Sequence, residues 1–173
     1  MRQTRTLAAA AALVALTALA GCGGDPADEL GLPAAGDIAS IQKLINQHAV
    51  CDNLRPDDEG KDRWEAFAQD PAWAIKERAL CDDASNRRIT LLSISDMSKF
   101  QAANRKASEG GKNHDVLLGK DFALVPEGNR TTEALLKAKL LVLTCSGAYE
   151  IPSGFKQHKG MADGCLLTDY SRS

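Results

Sequence analysis

Aromatic residues are scarce in this 173-residue chain: two Trp, two Tyr and four Phe, 5% of the total. A core with so few rings must be filled mostly by Leu, Ile, Val and Ala. An excess of either charge is lacking too. The 21 basic residues are set against 23 acidic ones, for a formal net charge of −2 at pH 7. No basic stripe runs along any segment, which excludes the electrostatic footprint of a nucleic-acid-binding domain and leaves nothing to draw the chain to an anionic surface. The apolar run from Leu7 to Ala20 is too short for a spanning helix, which needs roughly 20 residues. Catalytic signatures are missing as well. There is no G-x-S-x-G elbow and no H-E-x-x-H pair, and Gly110-Gly111-Lys112 lacks the G-x-x-x-x-G-K-[ST] spacing of a phosphate-binding loop.

What is present begins at the amino terminus. Arg2 and Arg5 precede the apolar run, and small residues with a cysteine follow it. Positive, apolar, small is the order of a cleaved secretory signal. Its last four residues, Leu19-Ala20-Gly21-Cys22, resemble the lipobox of bacterial lipoproteins. The resemblance implies a diacylglycerol thioether on Cys22 and cleavage between Gly21 and Cys22, often followed by acylation of the new amino group. Residues 1–21 would then be a signal peptide, and the mature protein would be anchored by lipid at the extracytoplasmic face of the cell membrane. Two or three acyl chains hold stably where one is marginal, at about 0.8 kcal/mol per buried CH₂. The resemblance covers the first 22 residues and implies nothing about activity.

From Cys22 onward 152 residues remain, with 19 basic against 23 acidic side chains, a net charge of −4 and a length that suits one domain. Four further cysteines, Cys51, Cys81, Cys145 and Cys165, make an even set. Outside the cytoplasm such a set reads as disulfides, and four cysteines allow three pairings. The spacing favours Cys51–Cys81 and Cys145–Cys165, one bond in each half. Each closes a loop that would contribute roughly 3–4 kcal/mol in the chain-entropy model. The rival is zinc with His48 or His158 as added ligands; without a C-x-x-C pair the spacings do not fit a structural site, and no metal or other cofactor is expected.

Taken in order, residues 22–36 are Gly, Pro, Ala and acid, the composition of a tether. Residues 37–145 read as an α+β domain. Asp37 is placed to cap a helix reaching about Ala49, with Ile38, Ile41, Leu44 and Ile45 on one face. Residues 52–63 form a charged turn region whose Asp57, Asp58 and Glu59 do not match a calcium loop when aligned on Gly60. A short helix over 62–69 would bury Trp64 and Phe67. Residues 75–82 read as helix from Asp70-Pro71 or as strand from their alternation; the polar DDASN cluster and the strand-rich 87–94 that follow favour a hairpin. Ser95 or Asp96 starts a helix to about Ser108. Residues 116–118 and 122–125 form a second hairpin around Gly119-Lys120-Asp121. A helix from Thr131 to Thr144 places Leu135, Leu136, Leu140 and Leu143 on one side. Residues 146–173 lack periodicity and read as a tail held by Cys145–Cys165. Such an order fits a small antiparallel sheet of two hairpins, helices on one face and two disulfide staples. In element order it resembles small extracytoplasmic domains of uncharacterised lipoproteins from high-GC Gram-positive bacteria.

Candidate chemistry is sparse. His48, His114 and His158 are scattered, and His114-Asp115 at the start of a strand point to opposite faces. Asp82-Asp83 sits at a hairpin, Asn129-Arg130-Thr131 is a sequon without consequence in a bacterium, and Cys145-Ser146 is better explained by the disulfide. The expectation is therefore a lipid-anchored, non-catalytic binding or interaction module with a protein or small-molecule partner and no catalytic residues. The alternative is a cell-envelope enzyme whose Asp, Glu and His site shows no motif. A two-lobed transport receptor has too little chain.

Overall fold

The computed structural model describes residues 26–56, 63–109 and 114–172. Cys22 and the lipobox, the acidic residues 57–59 and the Gly-Gly-Lys at 110–112 lie outside them. In chain order the elements are α1 (Pro26–Glu29), α2 (Ile38–Ile45), β1 (Asp52–Pro56), α3 (Arg63–Gln69), a 3₁₀ turn (Pro71–Trp73), β2 (Ile75–Asp82), β3 (Arg88–Ile94), α4 (Met97–Ala107), β4 (Val116–Leu118), β5 (Phe122–Pro126), α5 (Asn129–Lys137), β6 (Leu141–Thr144), β7 (Gln157–Lys159) and β8 (Leu166–Thr168). The eight strands make one sheet in the order β1-β2-β3-β5-β4-β6-β8-β7, and every pairing is antiparallel. The fold is α+β, with disulfides Cys51–Cys81 and Cys145–Cys165.

Local signals position the outer elements. Asp37 and Asp96 accept from the backbone N–H of Ser40 and Lys99 and so cap α2 and α4. Asp70-Pro71 does start a helical turn, but only a 3₁₀ one. Ala74 leaves it with φ +50°, and its carbonyl accepts from Ser95 N as the chain enters β2. Both competing signals in that stretch are thus used, in succession.

Helices cover both faces of the sheet rather than the single face expected. Alternating strand positions divide the core in two. Leu92, Ile94, Val116, Leu118, Ala123, Leu141 and Leu143 join Trp64, Trp73 and Phe100 from α3, the 3₁₀ turn and α4. Ile89, Leu91, Leu117, Phe122, Leu124 and Val142 join Ile41 and Ile45 from α2 and Leu135 from α5. The topology explains why. Strands β3 and β4 are parallel, flank β5 and are joined through α4; β5 and β6 are parallel, flank β4 and are joined through α5. Both crossovers step the same way across the sheet, from strands that run in opposite directions. Connections of one hand must then place their helices on opposite faces.

Four other expectations are corrected. The helix starting near Thr131 stops at Lys137; Lys139 takes φ +68°, and Leu141–Thr144 is a central strand paired with β4 and β8. Residues 146–173 supply β7 and β8 to the sheet rather than a tail held only by a disulfide, and the charged region after Cys51 supplies β1. The stretch read as a tether is docked from Ala27 onward. Ala27 and Leu32 are buried in the first core, Lys120 N donates to Pro33 O, and Asp121 accepts from Ala35 N and Gly36 N.

Candidate functional site

The side chains singled out for chemistry are dispersed. His48 is exposed in the turn after α2. His114 is buried: its Nδ1 lies 3.2 Å from Arg63 Nη1, and its ring sits edge-on to Phe67 at 5.5 Å. His158 is on β7, the outermost strand at the other end of the sheet from β1. Among the described residues no three His, Cys, Asp or Glu side chains come together as a metal site. His114 and Asp115 diverge, as strand alternation requires: the histidine leans on α3, while Asp115 lines a pocket beside Tyr149.

The adjacent carboxylates Asp82 and Asp83 also have separate structural partners. The Arg55 guanidinium binds both Asp82 oxygens at 2.9 Å and holds its carboxyl below the usual carboxylate value. Burial of Asp83 opposes its charge. The N–H groups of Arg87 and Ser85 and the Thr131 hydroxyl nevertheless donate to it and draw it below the ordinary value. Asp83 thereby ties the β2–β3 hairpin to the first turn of α5. The approach is close: a Cβ on Gly128 would lie 2.5 Å from Asp83 Oδ2, so any larger residue there would displace the Asp83 carboxylate from its partners.

Three of the concavities lined by the described residues bear on a ligand site. One, about 460 Å³ and lined by Lys43, Gln47 and Asp121, is an open hollow beside the strap of residues 33–36, with both Asp121 oxygens engaged by backbone N–H groups. A second, about 200 Å³, lies among Asp115, Thr132, Tyr149 and Arg172, below the ~300–1,000 Å³ typical of ligand sites. Its Tyr149 and Arg172 are internally committed. Tyr149 Oη donates to Tyr170 O at 3.0 Å, and the Arg172 guanidinium lies 4.1 Å from the centre of the Tyr149 ring and donates to Ala148 O. Burial, with the Asp115 charge, pushes the Tyr149 phenol up to about 12.

The third is a groove of about 520 Å³ between α5 and the C-terminal segment, within the ligand-sized range. Leu136, Phe155 and Tyr170 give it apolar walls; Asn129, Glu133, Lys137, Asp169 and Ser171 give it polar ones. Phe155 is 43% exposed, the one exposed aromatic ring among the described residues, and it leans on Tyr170 at 4.8 Å. Asn129, Glu133 and Lys137 lie along the exposed side of α5. The opposite wall is set by β8. Tyr170 N donates to Thr168 Oγ1, and Lys156 N donates to Asp169 Oδ1 at 2.7 Å, which draws the Phe155 loop onto the segment after β8. Cys145–Cys165 joins the end of β6 to the approach to β8. The disulfide read from the sequence therefore helps position a groove the sequence did not reveal.

Comparison with known proteins assigns no family: no family model matches the chain, and no curated protein or solved structure matches it.

Proposed function

We propose that the protein is a lipid-anchored extracytoplasmic binding module, non-catalytic, which presents the groove between α5 and the C-terminal segment to a ligand. The observation that carries the binding role is Phe155. A ring left partly in water beside a ligand-sized concavity, with the exposed polar side chains Asn129, Glu133 and Lys137 at its rim, is the arrangement of a recognition surface rather than of a core. The lipobox resemblance of Leu19-Ala20-Gly21-Cys22 carries the anchor and the membrane location.

Two measurements test the two halves. A photoreactive amino acid at position 155, activated in intact cells, should capture a partner that the same probe at exposed Lys76 does not. Equal labelling at both positions would remove the binding role. Cys22→Ser should abolish acyl mass on the mature protein and release it from the membrane fraction; retention there would remove the anchor. Glu133 and Asp169 place two carboxylates in the same groove, and this observation is what a cell-envelope hydrolase reading would stand on. Turnover of a captured ligand by the wild type and not by Glu133→Gln would favour it.

A further inference from the structure

Resting on the binding reading above, we infer that the ligand of the groove is an uncharged pyranose saccharide. Phe155 offers a partly exposed aromatic ring tilted against Tyr170, and the C–H face of a pyranose ring is a flat apolar surface that stacks on aromatic rings. The hydroxyls at the sugar's edge then meet the polar rim. The carboxylates of Glu133 and Asp169 accept only, Lys137 donates only, and Asn129 does both. A hydroxyl both donates and accepts, so it satisfies all of these groups.

Other ligand classes fit less well. A phosphate or other anion would meet two carboxylates and a single lysine. A lipid chain or apolar peptide face would strip water from the Glu133 carboxylate, Lys137 and Asn129 and offer them no hydrogen bond in return. The groove is also open to solvent rather than enclosed, which suits a sugar within a longer glycan.

The test uses the full mature chain in a detergent without a sugar headgroup. Cellobiose, maltose and N,N′-diacetylchitobiose are offered separately at millimolar concentration, and saturation transfer from protein to sugar is recorded by NMR. At least one disaccharide should receive saturation. Phe155→Ala should weaken its binding about tenfold, the loss expected for one aromatic contact, and Glu133→Gln should weaken it several-fold; both side chains are exposed, so thermal unfolding of the variants should be unchanged. No transfer to any of the three sugars, or transfer that Phe155→Ala leaves intact, overturns the assignment. The crosslink at position 155 separates the two failures. A captured partner without sugar binding removes the saccharide and leaves the binding module standing, whereas neither signal removes both.

Discussion

Trp64, Phe67, Trp73 and Phe100 gather on one face of the sheet; Tyr149 and Tyr170 belong to the other, with Phe155 against Tyr170. Seven of eight aromatic side chains are thus spent in two groups, with ring centroids 4.0–6.4 Å apart in the first and 4.8–6.0 Å in the second. Regular structure places the first group: Trp64 and Phe67 are three apart on α3, Trp73 ends the 3₁₀ turn, and Phe100 is on α4. Its members are closed off by helices and sheet. The second is placed by loops, one disulfide and hydrogen bonds, and it grades from buried Tyr149 through half-buried Tyr170 to exposed Phe155. Ring contacts stabilise the fold in the first group, and in the second they hold a ring available at the surface.

The largest effect that would test this contrast is Phe100→Ala. Deleting a fully buried ring should cost about 3–5 kcal/mol in denaturant unfolding, a fall of roughly 10 °C in Tm. Next, the double variant Cys145→Ser with Cys165→Ser should lose about 3 kcal/mol. Its tyrosine near-ultraviolet circular dichroism should fall more than its tryptophan signal; loss of both together would show that the groups are not independently placed.

Asp83 links the hairpin to α5, and Asp83→Asn should cost roughly 1.5–3 kcal/mol at neutral pH. Because its carboxyl titrates below 3.8 when folded, its contribution is full above that value and is lost as pH falls through the lower folded one. The asparagine variant should therefore show a shallower acid-unfolding profile below about pH 4. Tyr149→Phe should cost about 1 kcal/mol for the bond to Tyr170 O. In the wild type, a phenol raised to about 12 stabilises the fold fully below 10.0 and loses that contribution as pH rises toward 12; spectrophotometric titration should find one tyrosine ionising late. Smallest in stability is Phe155→Ala, within about 0.5 kcal/mol, although it is the variant expected to change binding most.

How far the chain could be read follows the same division. Asp37 and Asp96 announce their helices through contacts three residues away, and the two central hairpins and both disulfides follow from patterns local enough to see. Leu135, Leu136, Leu140 and Leu143 fit a helical face equally well, and only pairing of β6 with β4 on one side and β8 on the other turns Leu141–Thr144 into strand. Leu166–Thr168 is too short to show periodicity before it has neighbours. The groove was illegible for a related reason: Glu133 and Leu136 belong to one segment, Phe155 to a second and Tyr170 to a third, and nothing local joins them. The one available hint was that three of the few aromatic rings, Tyr149, Phe155 and Tyr170, stand in an otherwise largely polar stretch.

The docking of Ala27 and Leu32 sets a leash length. Five residue steps separate Cys22 from Ala27, and a fully extended chain advances at most ~3.6 Å per residue, so an acyl group on that cysteine could lie no more than about 18 Å from the point where the chain meets the folded body. Under the proposed anchor, a protein moored so closely would skim the lipid headgroups instead of sweeping the space above them. Its encounters would be confined to whatever passes within a thin layer at the membrane surface.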